Sequence, residues 1–470
     1  MPVKSNFKGT YKALTGLSPP LGLLYIAKVL EQDDNKVNLL DFSAEKIVMD
    51  KLMSRLLSTD AVCMTVMSDS VQKADEMIMQ IKEKDNDLPI IIGGPHCALF
   101  PKRALKETHA DISVQGDGEG IMLDIKKALN NKKSFSEIPG IYYRSKNTIK
   151  RGPLYQPIEN LDSVPFPARH LSKKYLYGKA YNQHIKKGEF TSIITSRGCP
   201  FKCNFCSRGA VSLNRHRTRS TENILDEFRE IYSMGYKYVG IMDDSFLSNK
   251  KQANAIFDTI INENMEMKFY ITASRADSAD RDLFNKMKRA GVISIQFGLE
   301  SANQDVLDYY NKSTTVEKIR KAVILSHEAG FFTLGSFILG APFETKQHFD
   351  NTIKFANSLP LESAIFLPLR YRAGSDMWLK AVKEGKIALN EYEVHADSKR
   401  DLGLFTEQEL LNYCEKGQML FSFNPKYIFN LFRSSIEKND FSLLHMYISI
   451  YLSFLKEHSN PFTFINKKNA

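Results

Sequence analysis

Three closely spaced cysteines near the middle of this 470-residue sequence are the residues best suited to chemistry. Cys199, Cys203 and Cys206 follow the spacing C-x3-C-x2-C, directly after an apolar run, 191–195, that predicts a strand. Three thiolates on one short loop can bind three irons of a 4Fe–4S cube and leave the fourth iron open for a ligand. The spacing therefore predicts a cluster that takes part in catalysis.

Two other uses of these cysteines remain open from the spacing alone. A structural zinc ion needs a fourth ligand, and the candidates, His216 and Cys414, stand at no regular zinc spacing. A disulfide framework is disfavoured because the chain has only 6 cysteines, half of them crowd one loop, and no signal-peptide pattern begins the sequence. A cluster is the interpretation that the spacing favours.

The residues around the cysteines make the pattern more specific. With Arg-Gly-Cys-Pro at 197–200 and the aromatic Phe205, the loop resembles that of the radical S-adenosylmethionine (SAM) superfamily. In that family the loop follows the first strand of a partial (β/α)6 barrel. The resemblance implies that SAM chelates the open iron, that its reductive cleavage gives a 5′-deoxyadenosyl radical, and that Phe205 packs near the adenine.

Strand and helix patterns alternate after the loop, as they do in a βα barrel. Strands are predicted at 191–195, 238–242, 269–273, 292–301, between Gly335 and Gly340, and at 364–369, and helices at 221–234, 251–264, 280–290 and 316–329. Barrels of this kind gather their catalytic groups at the carboxyl ends of the strands.

By the resemblance, residues at these strand ends contact SAM. Asp243 or Asp244 would take the ammonium group, although either could instead cap the following helix. Ser274 and Arg275 would contact the ribose and the carboxylate, because a guanidinium forms a bidentate bond with a carboxylate.

Three further strand-end residues complete the expected SAM site. Glu300 could pair with a cation inside the barrel or bind a hydroxyl of SAM. Gly335 and Gly340 would let the backbone approach the adenine, because glycine has no side chain.

Before the barrel, strand and helix patterns also alternate. Strands are predicted at 37–42, 61–66, 89–94 and 111–115, with helices near 20–31, 46–57, 71–84 and 119–130. This order predicts a doubly wound parallel sheet, which binds ligands at the carboxyl ends of its strands. The candidate ligand contacts there are Ser68, Gly93, Gly94, His96, Gly116, Gly118 and Glu119.

This region resembles the cobalamin-binding domain that precedes many radical SAM methylases, cyclases and carbon–carbon bond-forming enzymes. It departs from that domain twice: no Asp-x-His-x-x-Gly motif supplies a cobalt ligand, and residues 1–17 contain no apolar first strand. We expect His96 to be a wall or capping group rather than a cobalt ligand. The alternative to corrin binding is a sheet used for substrate or packing.

The fold class is therefore α/β: a cobalamin-binding-like sheet with no recognisable first strand, then a partial radical SAM barrel, then helices. The expected regions are a sheet domain at 1–137, a linker at 138–187, the barrel at 188–385 and a helical region at 386–470. C-terminal helices are predicted at 406–421, 425–436 and 441–458, and the apolar run within the last is too short to span a bilayer.

The charge distribution limits the partners. The net charge is +10, but the basic residues are scattered, which excludes a nucleic-acid groove and is compatible with a peripheral contact with anionic lipid. No transmembrane or targeting segment is apparent, and an oxygen-sensitive cluster predicts a reducing cytoplasm. The expected partners are a small-molecule or lipid-like substrate and an electron donor such as ferredoxin or flavodoxin.

The sequence thus predicts a radical SAM enzyme that abstracts hydrogen from an unactivated carbon, with cobalamin-dependent methyl transfer as the leading outcome. One alternative is cobalamin-independent cyclisation or carbon–carbon coupling of a hydrophobic substrate. A second is a cluster-bearing redox module without turnover. No catalytic residue of the substrate reaction is assigned.

Overall fold

The fold is built on two main sheets. In each of them the carboxyl ends of the parallel strands lie along one edge. The computed structural model describes residues 18–45, 49–146, 148–179, 181–182 and 184–437, together with 441, 444 and 448. All bounds and contacts below refer to these residues. The first sheet belongs to the N-terminal region and the second to the barrel.

The N-terminal region is a sheet with helices packed around it. Its elements are α1 (Leu21–Glu31), α2 (Met49–Leu56), β1 (Val62–Thr65), α3 (Val71–Lys84), β2 (Ile90–Gly93), α4 (Pro95–Leu99), α5 (Pro101–Glu107), β3 (Ile112–Val114), α6 (Met122–Leu129), β4 (Ile141–Ser145) and β5 (Thr148–Arg151). The strand order is β1-β2-β3-β4-β5; the first three are parallel and the hairpin β4–β5 adds antiparallel strands. Strand β2 lies between β1 and β3 and is apolar and largely buried, as is usual for an inner strand of a parallel sheet.

Three of the four predicted N-terminal strands form, and the prediction of a strand at 37–42 is wrong. That segment is irregular because its polar groups bond to side chains instead of a neighbouring strand: Tyr175 Oη donates to the carbonyl of Leu39 at 3.0 Å and Tyr177 Oη to Asp41 at 2.8 Å. The expectation of a missing first strand concerns residues 1–17, which lie outside the described residues. The hairpin carries the first sheet beyond residue 137, where the sequence predicted the linker to begin.

The second sheet is the predicted partial barrel. Its elements are β6 (Phe190–Ile193), β7 (Ser196–Arg197), α7 (Arg208–Val211), β8 (Arg217–Thr218), α8 (Thr221–Ser233), β9 (Tyr238–Ile241), α9 (Lys250–Asn262), β10 (Lys268–Arg275), α10 (Arg281–Arg289), β11 (Val292–Glu300), α11 (Gln304–Tyr309), α12 (Val316–Glu328), β12 (Phe332–Leu339), α13 (Lys346–Ser358) and β13 (Ser363–Pro368). Six parallel strands pair in the order β13-β12-β11-β10-β9-β6, so each helix crosses back over the sheet between successive strands. The short strands β7 and β8 form a separate antiparallel pair around the cysteine loop.

Capping residues explain where several barrel helices begin. The side chains of Ser220, Asp280 and Thr315 each accept a hydrogen bond from the backbone N–H three residues further along. Such a cap satisfies a donor that has no partner within the helix. The predicted starts of these helices agree with the structure to within a residue or two.

The chain after the barrel covers its outer strands. It contains β14 (Arg370–Arg372), α14 (Asp376–Lys383), β15 (Glu393–His395), α15 (Glu407–Ser422) and α16 (Pro425–Glu437). The predictions of helices at 406–421 and 425–436 are confirmed, whereas the one at 441–458 falls almost wholly outside the described residues. Within the described part of the chain, no helix has the length and apolar character needed to cross a membrane.

Candidate active site

The cysteine loop leaves the carboxyl end of β6 and carries three thiols that are not paired in disulfides. Cys199, Cys203 and Cys206 are all partly exposed. The backbone N–H of Cys206 donates to the carbonyl of Cys203 at 3.1 Å, which holds these two residues in one tight turn. Burial raises the pKa of Cys199, and the charges of Cys206, Asp244 and Cys203 raise it further. Thiols grouped in this way fit iron, which binds the thiolate and reverses the effect of burial.

The zinc alternative gains no geometric support. In the part of the chain that the structure describes, no group of three His, Cys, Asp or Glu side chains is arranged to hold a single metal ion. A cube asks for a wider arrangement, because each of its cysteines binds a different iron. Cys414 is buried in α15, where burial raises the pKa of its thiol far above the ordinary value.

A turn after α11 supports the far side of the cysteine loop. The backbone N–H of Asn204 donates to the carbonyl of Tyr310 at 3.2 Å, and the carbonyl of Asn204 accepts from Met377 N at 3.0 Å. The ring of Phe205 meets Tyr310 edge to face at 5.0 Å. Phe205 is therefore fixed beside the cysteines, whereas the supporting role of the turn had no signal in the sequence.

The two adjacent aspartates after β9 have different surroundings. Asp243 is buried and accepts hydrogen bonds from Thr195 N at 2.7 Å, Thr195 Oγ1 at 2.6 Å and Ser196 Oγ at 2.6 Å. Burial raises the pKa of Asp243, and these donors oppose that effect. Asp243 thus fastens the start of the cysteine loop to the neighbouring strand, and its oxygens are occupied by the protein.

Asp244 faces the cysteines instead. Its charge raises the pKa of Cys199 and Cys206, and its carboxylate lies 3.4 Å from Arg208. The N-cap of the following helix is Asn249, so neither aspartate serves as the cap. Of the two candidates, Asp244 is the one available to a ligand at the loop.

Ser274 and Arg275 end β10 and also differ. Ser274 Oγ is buried and has no hydrogen-bond partner among the described residues, which suits a ligand atom because an unsatisfied buried hydroxyl is costly. Arg275 is already engaged: Nε and Nη2 donate to Asp277 at 2.9 and 3.0 Å, Nη1 donates to Cys203 Sγ at 3.5 Å, and the group lies 3.9 Å from the Phe201 ring. The guanidinium therefore supports the cysteine loop, and its N–H donors are already engaged rather than available as a pair to the carboxylate of SAM.

Glu300 is paired inside the barrel. Its Oε1 lies 2.6 Å from Lys312 Nζ, and each side chain is 7% exposed. The residue has a φ of 63°, in the left-handed region that few side chains adopt. Of the two roles that the sequence leaves open for Glu300, the structure shows the ion pair inside the barrel.

Protein side chains fill the space beside Gly335 in β12 and beside Gly340, which directly follows that strand. A Cβ at Gly335 would lie 2.7 Å from Leu299, and one at Gly340 would lie 2.8 Å from Leu410 of α15. The same segment holds Glu344, whose Oε2 accepts from Gly340 N at 2.7 Å while Oε1 is buried without a partner in the described chain. Burial raises the pKa of Glu344 to about 7.

A cavity of about 350 Å³ lies at the carboxyl ends of β1, β2 and β3. Five of the predicted contacts line it: Gly93, Gly94, Gly116, Gly118 and Glu119. Ile194 and Arg197, at the start of the cysteine loop, line it from the barrel side. The cavity therefore lies where the two sheets meet.

Ser68 and His96 are not among the residues that line this cavity, and their side chains contact each other instead. His96 is fully buried, with Nδ1 3.1 Å from Ser68 Oγ and Nε2 3.2 Å from Glu107. Its ring packs against Tyr392 at 4.8 Å. Both ring nitrogens are used within the protein, as a capping or wall residue requires and a cobalt ligand does not.

The glycines around the cavity serve two purposes. Gly116, with φ of 80°, packs under Tyr155, where a Cβ would lie 2.4 Å from the ring. By contrast, a Cβ at Gly22 of α1 meets no atom within 4 Å, and one at Gly93 meets only Val114 at 4.0 Å. Gly22 and Gly93 leave open room for a bulky group, and Gly22 was missed because it stands inside a helix pattern.

Comparison with known proteins agrees with this arrangement. Residues 10–126 match the profile of the B12 binding domain, and residues 193–356 match that of the radical SAM superfamily. An uncharacterized methyltransferase of Pyrococcus horikoshii is 28% identical over 414 residues, which cover 87% of this chain and 88% of the relative. The anaerobic magnesium-protoporphyrin IX monomethyl ester cyclase of Rubrivivax gelatinosus is 26% identical over 367 residues, or 75% of this chain and 64% of that enzyme.

A solved structure extends the likeness to the whole fold. The cobalamin-dependent SAM radical enzyme OxsB, with aqua-cobalamin and SAM bound, matches with a TM-score of 0.68 at 18% identity. The match covers 94% of this chain and 70% of OxsB. At 18% identity, the similarity to OxsB establishes the fold alone.

The chain therefore contains a radical SAM domain, and a B12-binding domain precedes it. This pairing of domains is that of an enzyme. The cofactors of these two domains are a 4Fe–4S cluster with SAM and cobalamin, respectively. The grouped thiols, the unsatisfied Ser274 hydroxyl and the open room at Gly22 fit these groups.

Proposed function

We propose that this enzyme transfers a methyl group to an unactivated carbon of a small or lipid-like molecule, using cobalamin held in the cavity and SAM held at the cysteine loop. The observation that carries the proposal is the shared wall: Ile194 and Arg197, which begin the cysteine loop, line the same cavity as the glycines of the first sheet. A group in that cavity lies next to the loop.

Different residues of the site would bind different parts of the cluster and SAM. Cys199, Cys203 and Cys206 would hold the cluster, Asp244 would meet the SAM ammonium, and the free hydroxyl of Ser274 would bond to the ribose. When bound, the cluster supplies one electron to cleave SAM, and cobalamin supplies the methyl group.

Other residues keep these groups in place. Asp243 fixes the start of the loop, and Asp277 holds Arg275 against Cys203. Glu300 with Lys312 forms a neutral pair behind Phe205, so no uncompensated charge lies there.

The electron must come from outside the chain, and a ferredoxin or flavodoxin is the class of donor that suits a low-potential cluster. The partial exposure of all three cysteines keeps the cluster edge near the surface, where such a donor can approach.

A second candidate is radical cyclisation, favoured by the similarity to the anaerobic cyclase of Rubrivivax gelatinosus. The two reactions differ in their by-products. Methylation consumes one SAM to make the radical and another to restore methylcobalamin, so 5′-deoxyadenosine and S-adenosylhomocysteine form together. Cobalamin-independent cyclisation forms 5′-deoxyadenosine alone.

The test is anaerobic purification with reconstituted cluster and added cobalamin, followed by an optical spectrum and assay of both by-products under strong reductant. We expect a corrin absorbance band and both by-products. Absence of 5′-deoxyadenosine would contradict the radical reaction, and 5′-deoxyadenosine without bound corrin or S-adenosylhomocysteine would favour cyclisation.

A further inference from the structure

Two arginines on either side of the cysteine loop bind one carboxylate of the first sheet. Arg197, just before the loop, places Nη1 2.7 Å from Asp117 Oδ1, and Arg217, just after it, places Nη1 2.5 Å from Asp117 Oδ2. Arg197 Nη2 also lies 2.6 Å from Glu119 Oε1. These four residues form what we call the inter-domain clamp.

The inter-domain clamp is held by further bonds on the side of the first sheet. Tyr155 Oη donates to Asp117 Oδ2 at 2.6 Å, and the carbonyl of Ile158 accepts from Arg217 at 2.6 Å. Although burial alone would raise it, the hydrogen bond from Arg217 and the charge of Arg197 hold the pKa of Asp117 well below its ordinary value. Asp117 is therefore ionised at neutral pH and attracts both arginines.

The clamp is also part of the cavity wall. Asp117, Glu119 and Arg197 all line the cavity, and the Arg197 guanidinium lies 5.4 Å from the ring of Tyr25, which lines it too. Any group that fills the cavity touches the residues that fix Arg197.

The clamp is connected to the first cysteine by a single, tightly packed residue. Only Gly198 stands between Arg197 and Cys199, with φ of 85°, and a Cβ there would lie 2.1 Å from the carbonyl of Arg215. A displacement of Arg197 is therefore passed to Cys199 across one tightly packed residue.

We propose that the inter-domain clamp couples the two cofactor sites, so that filling the cavity and assembling the cluster each favour the other, with Arg197 as the positioning residue. The inference rests on the proposed function, in that cobalamin is the cavity ligand. Coupling of this kind is reciprocal by thermodynamic linkage. If the clamp only held the two domains together, its removal would weaken both cofactor sites. Cobalamin would then bind with the same affinity whether or not the cluster was present.

The test measures the Kd of hydroxocobalamin by absorbance titration, for the protein without iron and for the protein with reconstituted cluster. For the unaltered chain we expect affinity at least about fivefold tighter when the cluster is present. In Arg197→Gln the ratio of the two Kd values should fall to about one, and Arg197→Lys should fall between, because one ammonium cannot bridge two carboxylates as a guanidinium does.

The matched control is Arg103→Gln. Arg103 also crosses between regions, donating to the carbonyl of Leu389 and to Glu107, but it touches neither the cavity nor the cysteine loop. We expect it to keep the wild-type ratio. Should Arg197→Gln fold poorly, Glu119→Gln removes one bond of the clamp without changing side-chain size, and should lower the ratio in part.

The outcomes separate the two proposals. If cobalamin binds with the same Kd with and without the cluster, or if Arg197→Gln keeps the wild-type ratio, the coupling is refuted while cobalamin binding stands. If no cobalamin binds to either form, the proposed function fails first, and the coupling with it.

Discussion

The cysteine end of the barrel and the cavity of the first sheet are built in opposite ways. Beside the cysteine loop, three charged groups are already satisfied by the protein: Asp243 by Thr195, Arg275 by Asp277, and Glu300 by its own lysine partner. At the cavity, Gly22 leaves space that no protein atom fills. A preassembled polar frame suits a cluster and a small charged ligand, whereas open apolar space suits a large flat cofactor.

The largest effect should come from the cysteine loop. Cys203→Ala removes one iron ligand, and we expect loss of the cluster absorbance and of 5′-deoxyadenosine formation, with the chain still folded. Cys414→Ala is the matched control, because it removes a thiol buried in α15 and should keep the iron content. Iron near four atoms per chain in Cys203→Ala would show that the ligand assignment is wrong.

The next largest effect should separate the two aspartates. Asp243→Ala leaves three buried donors without an acceptor, so we expect a loss of about 3 kcal/mol in the free energy of unfolding, measured by urea denaturation. Asp244→Ala should change stability little and weaken SAM binding. Equal destabilisation by both would mean that Asp244 is also structural.

Filling the cavity should give two effects of opposite sign. Gly22→Leu places a side chain in open space within α1, so we expect cobalamin affinity to fall at least about tenfold, a cost of about 1.4 kcal/mol. The free energy of unfolding should rise by up to about 1 kcal/mol, because leucine is more favourable than glycine in a helix. Cluster content should stay unchanged, and unaltered cobalamin affinity would place the corrin elsewhere.

Arg275 should affect the electron rather than the ligand. A cation that donates to a cluster thiolate stabilises the reduced cluster, so Arg275→Gln should lower the reduction potential. A tenfold change in the reduced fraction corresponds to about 59 mV for one electron. Arg215→Gln, which removes an equal charge from an exposed pair with Glu159, should leave the EPR-monitored potential unchanged.

The smallest effect concerns Glu344, a barrel-end carboxyl whose Oε1 is left unsatisfied. Burial raises the pKa of Glu344 from 4.5 to about 7, so the folded state binds its proton more tightly than the unfolded chain. Its contribution therefore favours folding at low pH and is lost as the pH rises from about 4.5 to about 7.

Between pH 6 and 8 the unaltered chain should lose about 1 kcal/mol relative to Glu344→Gln, measured by denaturation at both values. A parallel pH dependence for the two proteins would show that Glu344 has an ordinary pKa.

Local pattern predicted the elements well but not the partners of the side chains. The six barrel strands and the helices between them follow from apolar periodicity and caps such as Ser220 and Asp280. The segment 37–42 has the same periodicity, yet its Leu39 carbonyl and Asp41 carboxylate accept hydrogen bonds from tyrosines 136 positions away in the chain. Periodicity does not show which surface an element meets.

The site shows the same limit. The sequence predicts the cysteines and the aspartate pair, but which aspartate is occupied depends on the hydroxyls of the preceding loop. Arg275 resembles a SAM contact until Asp277 and Cys203 are seen on either side of it. The bond from Arg197 to Asp117 joins residues 80 positions apart, and no local signal predicts it.

The central claim is that the cavity ligand and the cluster face each other across the start of the cysteine loop. The most direct measurement is the EPR spectrum of protein that contains both the reduced cluster and cobalamin in its paramagnetic Co(II) state. We expect both signals to be broadened or split by magnetic interaction between the two centres. A spectrum equal to the sum of the two separate centres would contradict the claim.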